Sequence, residues 1–255
     1  MEQNKFRHFL VLILVVALAL ELAPAPKKWG VVQLSGTGSV PGGDHDRIEI
    51  YGKGKIESGI NVQVLKIDGS ASVAGDVKAI MVRSSGLLKV SGKMDADSID
   101  ASGSVQVLKK LAGKTVHFSG VAESEGVEAS DFSGTGLLTV LKDITANTFK
   151  LTGAFSAGGS LKAAQVNLKM EGLSSAREIS GQKLVFKPGS RASPKVTRLT
   201  AEVIQGDELY LENVIARFVK GRVVKIGPGC AIDLVQYKES IMVDKGSRVG
   251  KNVKG

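Results

Sequence analysis

The sequence has little of the chemistry on which most metal proteins and many enzymes depend. Cys230 is the only cysteine among 255 residues, and only three histidines occur. A single cysteine excludes an intrachain disulfide and a metal cage built from several thiolates. Because Cys230 lies between Gly229 and Ala231, we expect it to be a buried structural thiol. The sequence predicts a protein that has no cofactor, no metal site and no enzymatic activity.

Long segments with helical spacing are absent after the N-terminus, and aromatic residues make up only 5% of the chain. A compact α/β enzyme needs crossover helices of ten or more residues between its parallel strands. The intervals between the strand-like segments of this sequence are too short and too rich in glycine to contain such helices. This absence argues against an α/β enzyme fold.

Glycine, in contrast, is abundant and periodic, with 31 glycines in the chain. One series advances by 16 or 17 residues at each step and is expected to resume, after a step of 19, at Gly172, Gly189 and Gly206. A second series keeps the same period six or seven residues later. Self-similarity at a fixed period is the sequence signature of a solenoid. The first series comprises Gly36, Gly52, Gly69, Gly86, Gly103, Gly120, Gly136 and Gly153, and the second comprises Gly42, Gly59, Gly75, Gly92, Gly126 and Gly159.

The residues before the first-series glycines alternate between apolar and other types, as in Leu65-Lys66-Ile67-Asp68-Gly69. This alternation predicts a short half-buried strand that ends in a bend. A period of 17 residues suits three short sides, so the sequence predicts an all-β fold, a triangular solenoid of parallel strands with about 17 residues per turn. We expect the solenoid over residues 27–206, a distal β-helical part over 207–243 and a basic tail over 244–255.

Residues 1–26 form a separate N-terminal segment, in which an apolar run from Phe9 to Leu20 precedes a stiff Ala-Pro spacer. The run predicts a hydrophobic helix, and its twelve residues fit either the core of a cleaved signal peptide or a short membrane anchor. The residues expected to contact the membrane are Phe9, Leu10, Leu12, Ile13, Leu14, Val15, Val16, Leu18 and Leu20.

The formal net charge of +9 is concentrated near the C-terminus. Residues 183–255 contain 14 Lys or Arg against 7 Asp or Glu, whereas residues 1–182 contain 20 against 18. The excess fits a solvated face that keeps a repetitive protein soluble, or a patch for an anionic surface such as lipid or cell-wall polymer. Nucleic acid is not expected as a partner, because only Phe218 lies among the basic residues of 217–225 as a stacking platform.

Two clusters of polar residues suggest chemistry but have a simpler structural explanation. Asp44-His45-Asp46 follows a turn and fits a polar loop, and Asp95, Asp97 and Asp100 supply too few oxygen ligands for a calcium loop. His117 occupies an outward position of a repeat strand. An acyltransferase would need a catalytic histidine, for which His45 and His117 are the candidates.

Three parts of the sequence resemble a known family. The repeat Ile67-Asp68-Gly69-Ser70-Ala71-Ser72-Val73-Ala74-Gly75, the run from Ser35 to Gly43 and the distal block from Leu209 to Lys238 are similar to the bactofilins, or polymer-forming cytoskeletal proteins, in their longer two-part forms. The resemblance covers about residues 31–243. It implies a right-handed parallel β-helix that assembles end to end, without nucleotide, into non-polar filaments.

By the same resemblance, the filaments would be a membrane-associated scaffold on the cytoplasmic face, with cell-envelope or motility components as partners. The physics of an open coil agrees with self-assembly, because each end exposes unpaired backbone groups over apolar side chains. The tail could instead cap one end. The residues predicted to form the polymerisation contacts are Val31, Val32 and Leu34 at one end, and Val224, Ile226, Ile232, Leu234, Val235 and Ile241 at the other.

A second hypothesis uses the same fold outside the cell. If residues 9–20 are removed as a signal, the protein would be an exported β-helical surface or carbohydrate-binding protein.

Overall fold

Twelve β-strands in one parallel sheet form the whole of the chain that the computed structural model describes, residues 30–190 and 197–255. Each strand pairs with the next one along the chain. The strands are β1 (Gly30–Val40), β2 (Gly43–Ile56), β3 (Ile60–Val73), β4 (Val77–Val90), β5 (Met94–Val140), β6 (Ile144–Ala157), β7 (Ser160–Met170), β8 (Leu173–Pro188), β9 (Arg198–Leu211), β10 (Val214–Ile226), β11 (Ala231–Val243) and β12 (Arg248–Lys254).

The strands wind into a coil, so that the prediction of a parallel solenoid is confirmed. The coil has about 13 turns of about 17 residues, and residues 30–190 and 197–255 contain no helix. Ile60 of β3, for example, pairs with Gly43 of β2 on one side and with Val77 of β4 on the other. The 47 residues of β5 pass through almost three turns without a break.

The burial pattern divides a turn into three short segments, and each segment directs two residues into the core. In the turn formed by β3 we name residues 60–63 the first side, 65–68 the second side and 70–73 the third side, and we use these names for the equivalent positions in every turn. The inward residues of this turn are all buried: Ile60, Val62, Leu65, Ile67, Ala71 and Val73. The core is therefore a set of six columns that run along the coil.

The first glycine series stacks in one column at the corner between the second and third sides. All eight glycines from Gly36 to Gly153 have positive φ, between 89° and 143°. A Cβ added at Gly103 would lie 2.3 Å from the carbonyl oxygen of Gly86, and the same overlap recurs at each step from Gly52 to Gly153. No other residue type fits this position, because the conformation and the closeness of the preceding turn both exclude a side chain.

The expected continuation of this column at Gly172, Gly189 and Gly206 is wrong. Gly153 pairs with Met170, and Gly206 pairs with Gly181 and Gly221 on the first side. The reason is a change in turn length: Leu173 pairs with Arg198, which is 25 positions later, and this step includes residues 191–196 outside the described part.

At two of the expected domain boundaries, after residues 206 and 243, the structure continues as strands of the same coil. β9 (Arg198–Leu211) runs through the boundary at residues 206 and 207, and its pairing with β10 is continuous across it. Residues 244–255, expected to be a basic tail, contain β12, which pairs in parallel with β11 as the last turn of the coil.

The predicted N-terminal helix and its membrane residues lie outside the described residues. Within the described residues, no helix is long and apolar enough to cross a membrane.

Replacing Gly103 with alanine should destabilise the coil by at least ~1–3 kcal/mol, since alanine must adopt an unfavourable φ and displace the Gly86 carbonyl. Gly126→Ala is the matched control, because its Cβ would meet only the Asp143 oxygen at 3.5 Å, an ordinary contact. Denaturant unfolding measures both. Equal stabilities of the two variants would contradict the role of the column.

A carboxylate at a corner of the coil makes stability depend on pH. Asp143 accepts hydrogen bonds from the backbone N–H and the hydroxyl of Ser160 in the next turn, at 2.7 and 2.8 Å. These bonds lower the pKa of Asp143. Because the folded pKa is lowered, the stabilisation is present above the unfolded pKa of about 4 and is lost as the pH falls through the folded value.

Asp143→Asn should therefore reduce the free energy of unfolding at pH 7, and the difference from the wild type should shrink at pH 3. Asp100→Asn, an exposed aspartate on the second side, is the control. A difference that stays constant between pH 7 and pH 3 would reject this account.

Candidate self-assembly surfaces at the two ends of the coil

The sheet has two edges, because β1 and β12 stand at its ends and each pairs with a single described strand. An edge strand presents unpaired N–H and C=O groups that can pair with another chain. In a coil each edge strand also forms the end layer of the core. Each end therefore exposes unpaired backbone groups next to apolar side chains. The two ends differ in their side chains.

The N-terminal end is apolar and uncharged. β1 (Gly30–Val40) contains no Asp, Glu, Lys or Arg. Val32 and Leu34 are half-buried and pack on the core from the first turn, whereas Val31 is 67% exposed. All three predicted contact residues thus lie in the first turn. Val32 and Leu34 form its inward pair on the second side, in line with Ile48 and Ile50 of the turn below.

The distal end differs from the prediction. Val224, Ile226, Ile232 and Val235 are at most 2% exposed, because Ile241, Val243, Val249 and Asn252 of the last turn cover them. Leu234 points outward and pairs with Lys251. Of the six predicted distal residues, Ile241 is the one that belongs to the inward set of the last turn. The error came from treating residues 244–255 as a tail, which placed the end one turn too early.

Sequence reasoning missed the residues that replace them. The last turn offers Met242 and Val243, which are 65% and 38% exposed, and half-buried Val249. The apolar residues Ile241, Met242, Val243, Val249 and Val253, which continue to the C-terminal end of the sequence, were a signal that could have identified them.

The last turn also carries polar residues at inward positions. Asn252 covers Val235 and Lys254 covers Tyr237, so two of the six core columns end in a polar side chain. β12 has Arg248, Lys251 and Lys254 and no acidic residue. Lysine on an edge strand is a common protection against strand pairing between chains. The distal end therefore resembles a partial cap, and the N-terminal end has none among its described residues.

Ion pairs stabilise the turns next to each end. In the second turn, Arg47 and Tyr51 each donate a hydrogen bond of 3.0 Å to the carboxylate of Glu49, which lowers the pKa of Glu49. Near the distal end, Arg222 bridges Glu239 at 2.7 Å and Glu208 at 3.5 Å across successive turns, which raises the pKa of Arg222. The Arg222 pairs join neighbouring turns, whereas the Glu49 contacts lie within one strand, and each exposed pair contributes little to stability by itself.

The residues considered for catalysis or metal binding are not brought together. His45 is buried on the first side of the second turn with its Nε2 atom 3.2 Å from the Pro41 carbonyl, whereas His117 is exposed on the second side and contacts Ser133. No group of three or more His, Cys, Asp or Glu that could hold a metal occurs in residues 30–190 and 197–255. Cys230 is buried and donates to the Leu211 carbonyl at 3.3 Å, and burial raises the pKa of its thiol.

Comparisons with known proteins identify two similar proteins of Bacillus subtilis (strain 168). The chain is 36% identical over 98 residues to YhbF and 38% identical over 103 residues to YhbE, both described as uncharacterized proteins. Each match covers 38% of this chain, and the chain spans about two fifths of the length of these relatives, 42% and 43%. No family model and no solved structure matches the chain.

Proposed function

We propose that the protein is a self-assembling structural scaffold whose coils associate end to end, without nucleotide, into filaments. The observation that carries the proposal is the N-terminal end, where the uncharged edge strand β1 carries the half-buried apolar side chains of Val32 and Leu34. Pairing of this strand with a second copy would satisfy its free backbone groups and remove apolar surface from water at the same time.

The difference between the ends supports a specific order of assembly. Two uncharged β1 strands can approach each other without repulsion. Two β12 strands bring together six cations, from Arg248, Lys251 and Lys254 of each copy, and this repulsion weakens as salt screens it. Pairs joined at the N-terminal ends form first, and contacts between distal ends then extend the pairs into non-polar filaments.

The finer properties of the scaffold rest on the resemblance described above. These are the right-handed coil with a triangular section, the cytoskeletal role on the cytoplasmic face of the membrane, attachment through Phe9 to Leu20, and partners in the cell envelope or motility machinery. The basic distal turns are compatible with an anionic membrane surface. The exported β-helical surface or carbohydrate-binding protein is the second candidate, favoured by the twelve-residue length of the apolar run.

Leu34→Lys should disrupt the N-terminal contact, because it places a charge in the apolar layer of that end. Electron micrographs of the full-length variant should show filaments at least several-fold shorter than those of the wild type, with an unchanged circular dichroism spectrum. Thr135→Lys, an exposed position on the second side far along the coil, is the matched control. Wild-type filament lengths for Leu34→Lys would reject the N-terminal end as a contact.

Filament length should also depend on salt. At about 10 mM salt the screening length is ~30 Å and the cations of β12 repel, whereas at about 150 mM it is ~8 Å. We expect pairs at low salt and long filaments at high salt, measured by sedimentation velocity. The double variant Lys251→Gln and Lys254→Gln should form filaments already at low salt, while the control Lys162→Gln and Lys169→Gln should not. Filaments that shorten as salt rises would contradict this order of assembly.

The location of the protein can be tested through its N-terminus. An intact Met1 in protein isolated from cells supports the membrane anchor. A mature chain that begins near Leu20 or Pro26 supports export and would overturn the cytoplasmic scaffold. N-terminal sequencing makes the measurement.

A further inference from the structure

Exposed apolar side chains are concentrated on one of the three sides of the coil. Outside the first and last turns, eight large apolar side chains are exposed in the part of the chain that the structure describes. Seven of these eight lie on the third side or at its far corner. Ile80, on the first side, is the exception; the seven are Leu87, Leu108, Val121, Leu137, Leu141, Leu173 and Ile215.

The turn geometry aligns these residues in two rows. Leu87, Val121 and Leu137 each follow directly after a glycine of the stacked column, so they share one position of the turn, which Ser104 occupies in the turn between Leu87 and Val121. Leu108 and Leu141 follow the inward residues Val107 and Val140 at the other corner of the same side. The two rows border a flat β-surface.

The positions between the rows change in character along the coil. Thr139 and Ser156 in the middle of the third side are short and uncharged, and the same position holds Lys89, Gln106 and Glu123 in the three turns before them. The other two sides carry charges at the equivalent places, including Asp95 and Asp97 on the first side. A flat surface of small residues can pack face to face against another β-surface, at the spacing of about 10 Å that is typical of stacked sheets.

Charge on this surface favours a protein partner over a lipid surface. Glu123 lies between Val121 and Glu125, receives a hydrogen bond of 2.9 Å from Gln106, and remains exposed. Glu125 pairs with Lys142 at 2.6 Å. Insertion of this side into the acyl region of a bilayer would desolvate both carboxylates and the exposed ammonium group of Lys89 on the same side. A second copy can instead place its own uncharged and cationic positions opposite them.

The area of this surface indicates in which assembly it could form a stable contact. The stretch from Leu87 to Leu173 spans five steps of the coil and is about 24 Å long and about 13 Å wide, or about 300 Å². A stable complex between two proteins buries about 800 Å² on each partner. Two single coils would not remain associated through this surface alone. In a filament the surface recurs with every molecule, so many weak contacts act together.

We propose that the third side is a lateral contact through which filaments of this chain associate into bundles, with a second copy of the chain as the occupant. This inference rests on the proposed end-to-end assembly, because the lateral contact becomes stable only when it is repeated along a filament. Filament length reports on the ends of the coil, and filament width reports on the third side, so the two proposals can be tested separately.

The test is electron microscopy of the full-length protein at about 150 mM salt, a condition under which filaments are expected. The double variant Leu137→Lys and Leu141→Lys places two charges on the third side. The control, Thr135→Lys and Thr145→Lys, adds the same charge at exposed positions on the second and first sides. We expect the wild type and the control to form bundles, and the third-side variant to form filaments of unchanged length and single width, with bundles reduced at least tenfold.

Bundles of normal width in the third-side variant would overturn the proposal, and so would wild-type filaments that stay single at every concentration. If the variant keeps its bundles but loses co-sedimentation with phosphatidylglycerol vesicles, the third side faces lipid and the proposal is wrong. A wild type that forms no filaments rejects the end-to-end assembly instead. In that case, disulfide capture through Thr139→Cys in a Cys230→Ala background decides the lateral contact, and the absence of cross-linked pairs at high concentration overturns it.

Discussion

The structure depends on one backbone constraint, the bend between the second and third sides at a residue with positive φ. At this bend the carbonyl oxygen of one turn occupies the place where a Cβ of the next turn would lie. Glycine alone meets both conditions, and eight successive glycines therefore repeat the same bend at the same height in each turn. Identical bends bring identical sides above one another, which allows the parallel pairing and the six apolar columns of the core.

The same bend and the same pairing could be repeated for any number of turns. The unpaired backbone groups and apolar side chains of the two end turns must therefore be covered or protected in another way. The two ends of this chain differ in that respect. The apolar columns of the second side continue to the first turn with Val32 and Leu34, whereas Asn252 and Lys254 end two columns at the distal turn. The cations of β12 add repulsion between like ends. We infer from this contrast that the contact between two N-terminal ends is the stronger one, and that the contact between two distal ends depends on salt.

Much of the fold could be predicted from the sequence, because each side of a turn is a local pattern. The alternation before each glycine and the 17-residue step were sufficient to predict the parallel coil and the stacking from Gly36 to Gly153. The step from Leu173 to Arg198 could not be predicted from the sequence. Extra residues in a turn leave the apolar pattern of each strand unchanged and alter only which residues of the next turn pair with it. Extrapolation of the period past that point therefore gave the wrong partners for Gly206.

The candidate site was predicted less well than the fold. Val32 and Leu34 were identified because the first strand follows directly on the spacer. Val224 and Ile226 are not end residues, because Ile241 and Val243 of the last turn cover them, and this turn was overlooked because charged residues separate its apolar ones. The apolar third side depends on which of the outward positions align across turns, and that alignment becomes visible only when the register is known.

The central claim is that the molecules join coaxially, with the coil axis along the filament. X-ray fibre diffraction from aligned filaments of the full-length protein tests it directly, because successive turns are about 4.8 Å apart along the coil axis. The account predicts a strong reflection at about 4.8 Å on the meridian. The same reflection on the equator would mean that coils lie across the filament axis, and it would contradict end-to-end assembly.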